Sequence, residues 1–269
     1  MSGRVLLDVS GQVACVTLSH AGKFNAMSRT MWGQLQAVFD GLRQSSVRCV
    51  VVRGDSAHFC AGGDISEYAD FRFEEASLRD FHERDVWGGL QAMLDCDIPL
   101  VACIEGNCMG AGLEIASCCD MRLASSTARF GAPIARLGFP MAPREAALVT
   151  DALGSLTARE MLLSAAVLDA GEMKQRGFLN SVYPPHALAG AVDELVGRIG
   201  SLAPSAARQN KQIFRSNQRA VTALTASNAT EIIANSYRYA DTAEHREGVT
   251  AFTDKRAPVF EAFVLTPMP

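Results

Sequence analysis

The sequence predicts a mixed α/β fold of strand-strand-helix units followed by an all-helical tail. Three observations carry that expectation. Short β-branched runs recur near the N-terminus, at Cys49–Arg53 and at Leu100–Ile104. The last two each lead through a glycine-bearing turn toward a segment of helical spacing. After Val182 the apolar residues recur at helical intervals alone. No linker and no low-complexity stretch interrupts the 269 residues, so one domain with a helical C-terminal extension is expected.

Taken in order, Val5–Val9 and Val13–Leu18 form a strand pair, with Ser10-Gly11 as the hairpin signal. Ser28 is placed to cap a helix running to Leu42, with Met31, Leu35 and Val38/Phe39 on one face. Cys49–Arg53 is the third strand, and a helix is expected from Ser77 to Leu94. The cycle restarts with strand Leu100–Ile104, the turn Gly106–Gly112, helix Leu113–Cys118 and strand Met121–Ala124. Short helices follow at Pro143–Leu153, Ala158–Ser164 and Ala170–Arg176. The tail reads as helices over Ala187–Ile199, Ser205–Arg215, Leu224–Tyr239 and Thr242–Lys255, each apolar along one face. Such faces pack against the core or a partner subunit.

Nearly half of the residues are apolar (48%) and a fifth are charged, which supplies material for a large core. The net charge of −4 argues against a nucleic-acid partner, which usually meets a basic stripe. The eight cysteines contain no Cys-x-x-Cys pair, and most lie in apolar runs, so reduced, buried thiols are expected. No histidine pair has metal-ligand spacing, and no metal is expected. The first residues, MSGRVLLDVSGQVACVTL, read as strands and not as a signal peptide. Ile98–Cys119 is the most apolar stretch, but it carries Glu105, Glu114 and four glycines, so it is not expected to span a membrane. A cytoplasmic protein is expected.

Two turns carry the chemistry. One is Phe59-Cys60-Ala61-Gly62-Gly63-Asp64-Ile65. The other is Gly106-Asn107-Cys108-Met109-Gly110-Ala111-Gly112-Leu113-Glu114, ending at Cys118-Cys119-Asp120. A glycine turn between a strand and a helix leaves backbone N–H groups free. Two such turns facing each other can hold a carbonyl oxygen as it becomes an anion. Either turn taken singly also fits a simple tight turn.

The pair resembles the two signature segments of the crotonase (enoyl-CoA hydratase/isomerase) superfamily: Phe-x-Ala-Gly-x-Asp-Ile, then Gly-x-x-x-Gly-x-Gly-x-Glu before Cys-Asp-x-Arg. Lys23-Phe24-Asn25-Ala26-Met27, Phe130-Gly131-Ala132-Pro133 and Glu247-Gly248 through Phe252–Arg256 resemble further family segments, so the likeness runs from about residue 4 to 260. It implies a crotonase-type spiral of strand-strand-helix repeats over residues 1–200. It also implies a helical extension over 201–269 for trimerisation and completion of the coenzyme A site. The oxyanion-hole amides would be those of Gly63 and Ala111, with alanine standing where a glycine is usual; only the amide is required. Ala26, Ala61, Asp64, Ile65, Gly110, Pro133, Ile134 and Phe139 would line the pantetheine and acyl path. Lys23, with Lys255 and Arg256 from a neighbouring subunit, would meet the phosphates. The substrate would be an acyl-CoA thioester, with coenzyme A part of the substrate and no separate cofactor, and the assembly a homotrimer or homohexamer.

Glu114 is the carboxylate expected to move a proton. It follows Ala111 by three residues, which sets it beside that amide on a helix, and its neighbours Leu113 and Ile115 favour burial and a raised pKa. The departures point elsewhere. Family hydratases carry a second glutamate after the proline of Gly-x-Pro-Glu, and here Ile134 follows Pro133. The family's Pro-Gly-Ala-Gly-Gly reads Met141-Ala142-Pro143-Arg144-Glu145. The expected reaction is therefore a lyase or isomerase step through a thioester enolate with one carboxylate. Decarboxylation, thioester hydrolysis and non-catalytic CoA or RNA binding are the alternatives. Arg144 and Glu145 read as residues of a Pro-led helix start, where an acid suits the dipole; alternatively Glu145 stands in for the missing second glutamate and holds the water, and Arg136 or Arg144 clamps a distal acyl carboxylate. Phe71, Phe73, Phe81, Trp87 and Leu90 read as mixed core and acyl-pocket wall.

Overall fold

The structure, a computed structural model, describes residues 2–224 and 237–259, with side chains described except over 217–224. Strands β1 (Arg4–Ser10) and β2 (Val13–Ser19) form the expected antiparallel hairpin, turning at Gly11 with φ 59°. Helix α1 (Arg29–Leu42) starts where the Ser28 hydroxyl accepts the Met31 N–H, at 3.3 Å, and it buries Met31, Trp32, Leu35 and Phe39. Strand β3 (Cys49–Gly54) follows, then a 3₁₀ turn over Ile65–Asp70.

The single helix expected from Ser77 has three parts. These are α2 (Glu75–Asp80), a π-helical turn over Phe81–Val86, and α3 (Trp87–Leu94). It begins earlier because the Glu74 carboxylate accepts the N–H groups of Ala76 and Ser77, at 3.0 and 2.8 Å.

Next come β4 (Leu100–Ile104), β5 (Asn107–Met109), α4 (Ala111–Ser117), β6 (Met121–Ser125), β7 (Arg129–Gly131) and a 3₁₀ turn at Ile134–Leu137. Helices α5 (Pro143–Leu153) and α6 (Ser155–Ser164), strand β8 (Val167–Asp169), helix α7 (Ala170–Gln175) and strand β9 (Ser181–Tyr183) complete the core. The tail holds α8 (Pro185–Gly200), α9 (Pro204–Leu224) and α10 (Ala243–Thr253). The helix expected over Leu224–Tyr239 lies almost wholly outside the described residues; at its end Tyr237–Ala240 form a turn.

A six-stranded sheet runs β1-β2-β3-β4-β6-β9, parallel after the first hairpin. A second sheet, β5-β7-β8, was not expected, because three-residue strands are too short to show alternation. The main core fills the space between the first sheet and α1, α3 and α4, around Trp32, Leu35, Phe39, Val52, Leu90 and Ile115. On the other face of that sheet, Val51, Val101 and Leu123 meet Leu188, Val192 and Ile199 of α8. Helix α9 is tied down by Arg208 donating to the carbonyls of Ser45 and Val47, and by Lys211 donating to that of Ile98.

All eight cysteines are free, in line with the sequence, and burial pushes several thiols far up, Cys60 to about 12. Among the described residues no helix is long and apolar enough to cross a membrane.

Candidate active site

Three segments are stitched side by side. The loop after β3 runs parallel to β5: Phe59 and Cys60 donate to the carbonyls of Glu105 and Asn107, at 2.7 and 2.8 Å, and Met109 donates back to Cys60, at 2.9 Å. On its other side Ala61 donates to Phe24, Met27 to Gly62 and Asp64 to Met27, at 3.0, 2.8 and 2.8 Å. Two glycines make this possible. Gly62 holds φ 114° and Gly110 holds φ 47°, and a Cβ on Gly110 would lie 3.6 Å from the Gly62 Cα. The two turns therefore touch at their bends. The amides of Gly63 and Ala111 are left over, and neither has a hydrogen-bond acceptor among the described residues.

Glu114 stands on the first turn of α4, whose backbone closes through the Glu114 N–H onto the Gly110 carbonyl at 3.0 Å. Its carboxylate is largely enclosed yet makes no hydrogen bond or ion pair with any described residue. Burial pushes its pKa up to about 8; the nearby Glu145 pushes the same way and Arg72 opposes.

Glu145 sits in the first turn of α5, as expected of a helix-start acid, but its side chain is not at the surface. It is 2% exposed and lies 2.9 Å from Nδ1 of His82. Burial lowers the His82 pKa against the pull of Glu145, and its Nε2 is buried without a partner among the described residues. The single carboxylate expected from the sequence is thus two interacting carboxylates. Pro143 at the helix start and Val149 in the core set α5 so that Glu145 faces α4.

Aromatic rings close the same space. A Cβ on Gly63 would collide with the Tyr68 hydroxyl, so that ring abuts the amide pair. Tyr68 and Phe139 lie 6.0 Å apart, and Phe139 stacks on Tyr239 at 6.3 Å. His245 from α10 meets both Phe139 and Tyr239, at 5.5 and 5.1 Å. The Arg72 guanidinium lies over Tyr68 and Phe139, 4.3 and 4.0 Å from their ring centres.

Residues 8–262 match the family described as enoyl-CoA hydratase/isomerase. The chain belongs to that family, within the crotonase superfamily. The 2,3-dehydroadipyl-CoA hydratase of Escherichia coli (strain K12) is 30% identical over 251 residues, covering 93% of this chain and 95% of that protein. A solved enoyl-CoA hydratase/carnithine racemase from Magnetospirillum magneticum is 32% identical with a TM-score of 0.78, each chain covered to 96%. A solved methylmalonyl-CoA decarboxylase is 25% identical with a TM-score of 0.84, covering 96% of this chain and 98% of that one.

Within this crotonase fold the expected lining residues fall in three groups. Ala26, Ala61, Ile65 and Gly110 lie on the stitched loops, and Phe139 is in the aromatic wall. Pro133 and Ile134 open the 3₁₀ turn, with Ile134 packed against the core. Asp64 is taken up locally: its carboxylate caps the 3₁₀ turn at Ser66 and binds the Lys23 ammonium at 2.6 Å. That pair holds its pKa low against burial, and it locks the Lys23 loop to the glycine turn.

Lys23 is 41% exposed and also donates to Ser66, at 2.8 Å. Lys255 is exposed at the end of α10, and Arg256 grips Glu247 through both of its terminal nitrogens, at 2.6 and 2.7 Å. The two arginines considered as clamps have partners of their own. Arg136 is exposed and donates to the Ala165 carbonyl at 3.4 Å. Arg144 pairs with Glu83 at 3.3 Å and stacks on Trp87. Phe71 packs on Phe81 at 4.5 Å, Phe73 meets His245 at 5.3 Å, and Leu90 is core.

Sequence reasoning missed Tyr68, Arg72, His82, Tyr239 and His245. The one available signal was Arg72, a lone cation between Phe71 and Phe73 in an aromatic-rich stretch.

Proposed function

We propose that this protein adds water across the double bond of an enoyl-CoA thioester, and removes it in reverse, through a thioester enolate. What supports this is the packing of α4 on α5, which brings Glu114 near the buried, His82-bound Glu145, together with the Gly63 and Ala111 amides that have no acceptor among the described residues. The amides receive the thioester oxygen and stabilise it as charge develops, each donor contributing roughly 3 kcal/mol.

Two close carboxylates share a proton more readily than both ionise. Glu114, with its raised pKa, carries that proton to the α-carbon. Glu145, oriented by His82, takes the proton from the water that attacks the β-carbon. Ile134 offers that water no acceptor, so Glu145 supplies from α5 what the family's second glutamate supplies from the turn after β7. Coenzyme A belongs to the substrate, and no further cofactor enters the scheme. A homotrimer or homohexamer would bring Lys255 of a neighbouring copy to the phosphates.

The test is loss of enoyl absorbance over a panel of enoyl-CoA thioesters. Glu145→Gln is expected to cut hydration by about a hundredfold or more while acyl-CoA still binds. Full activity in that variant would remove Glu145 from the reaction. A second reading, decarboxylation of a malonyl-type thioester, is supported by the likeness to the solved decarboxylase and needs the amide pair alone. Carbon dioxide release from methylmalonyl-CoA without hydration of any enoyl-CoA would favour it.

A further inference from the structure

We propose that Arg72 receives a second carboxylate at the far end of the acyl group, so that the preferred substrates are CoA thioesters of short dicarboxylic enoyl chains. The inference rests on the reading that the Gly63 and Ala111 amides hold the thioester oxygen. It starts from an unbalanced charge. Arg72 is 1% exposed, and none of its nitrogens comes within ion-pairing distance of a carboxylate among the described residues. A guanidinium has five N–H donors. Here one terminal nitrogen donates to the Tyr239 hydroxyl, at a long 3.4 Å, and Nε is buried with no partner. The cation lies 4.3 and 4.0 Å from the centres of the Tyr68 and Phe139 rings, which meet it from two sides and hold it in place. A planar fork with unused N–H donors matches a carboxylate in two parallel hydrogen bonds.

Its position sets the kind of acid. Tyr68 is the spacer, with its hydroxyl against Gly63 and its ring beneath the guanidinium. The cation is therefore about one aromatic ring away from the amide pair, the reach of a few methylene groups. It also lies close enough to Glu114 to act on its charge, yet burial and Glu145 outweigh it and Glu114 stays raised. Arg72 is not neutralised by that carboxylate. A bound dicarboxylic chain would balance the guanidinium at one end and present its double bond between Glu114 and Glu145 at the other. The sequence pointed to a distal-carboxylate clamp at Arg136 or Arg144; the fold puts the open cation at Arg72.

Crotonyl-CoA and glutaconyl-CoA differ by one terminal carboxylate, so they isolate the effect. In the wild-type protein kcat/KM for glutaconyl-CoA is expected to exceed that for crotonyl-CoA by about a hundredfold or more. Arg72→Met, which keeps the stem volume, should bring that ratio to within about threefold of one, and Arg72→Lys should restore part of it. A wild-type ratio near one, or a ratio that survives in Arg72→Met, overturns the proposal whatever the variant's stability. If neither thioester is hydrated, the hydration reading fails and the substrate class is judged by calorimetry. Glutaryl-CoA binding tighter than butyryl-CoA by tenfold or more, lost in Arg72→Met, supports Arg72 as the receptor. Equal affinities overturn it.

Discussion

Among the described residues, Arg72 and Arg122 both reach into the body of this protein, and they are treated in opposite ways. Arg122, on β6, donates to the carbonyls of Phe178, Cys119 and Ala116, at 2.6, 2.8 and 3.3 Å, and stacks on Phe178. It ties the C-terminal end of α4 to the approach of β9, where a cation also suits the helix dipole. Its carbonyl partners all come from the chain itself. Arg72 has as much ring contact but one long hydrogen bond and an orphaned Nε. The same contrast divides the acids. Asp64 is held by Lys23 and Ser66, whereas the Glu114 carboxylate has no hydrogen-bond or ion-pair partner among the described residues. A polar group satisfied by its own chain holds the architecture; one left unsatisfied costs stability, and the proposals above give Glu114 and Arg72 their partners in a bound substrate.

The largest expected effect lies on the unsatisfied side. Glu114→Gln should lower α-proton exchange on a bound acyl-CoA by about a thousandfold, with binding changed less than about threefold. Deuterium uptake from heavy water reads this directly, and unchanged uptake would make Glu114 an architectural acid.

On the satisfied side, Arg122→Met strands three carbonyl acceptors and should cost about 3 kcal/mol. Arg72→Met removes an unpaired buried charge and should leave stability unchanged or raise it. Urea midpoints measured side by side would break the comparison if the two variants fell equally.

Gly248→Ala probes how α10 is seated. A Cβ there would overlap the backbone of Leu137, and Gly138 meets the backbone of Glu244 equally closely. A loss of about 2 kcal/mol is expected, with weakened acyl-CoA binding because α10 carries His245 into the aromatic wall. Wild-type stability and binding in that variant would show that α10 tolerates displacement.

A further effect is a slope. Glu114 keeps its proton in the folded state up to about pH 8, whereas the unfolded chain releases it in the ordinary carboxylate range. The unfolded state then binds fewer protons, so this group's contribution to stability falls as pH rises from about 5 to about 8 and levels off above. Exchange that uses Glu114 as a base should rise through the same window. Chemical denaturation across pH would lose this component of the slope in Glu114→Gln, and an unaltered slope would assign the titration elsewhere.

What the sequence disclosed was set by local backbone chemistry. The hairpin at Gly11, the Ser28 cap, the Pro143 helix start and the two glycine turns each depend on a few adjacent residues, and each stands where it was expected. The second sheet was hidden because its strands exist only through pairing with one another over long separations. The π turn was hidden because its period differs from the one sought. Glu145 read as a helix-start acid, and it is one; its meeting with His82 and Glu114 depends on how α2, α4 and α5 pack. Arg72 was passed over because nothing local distinguishes a cation that will be sealed beneath rings from one that will stay in water.

The π turn between α2 and α3 has a consequence for how the molecule can change. Gly89 fixes α3 against α1, where a Cβ would lie 3.0 Å from the Trp32 ring, so the rotational phase of that half is locked to the core. The wider turn itself carries Phe81, which is buried, and His82, which meets Glu145 at 2.9 Å, in an offset phase. The helix therefore works as a vernier, with one scale read by the core and the other by the site. A single-residue deletion within Phe81–Val86 would restore ordinary winding, leave the α3 scale in register and swing His82 away from Glu145. Lineages could retune the acid pair by such a length change, without altering either glutamate.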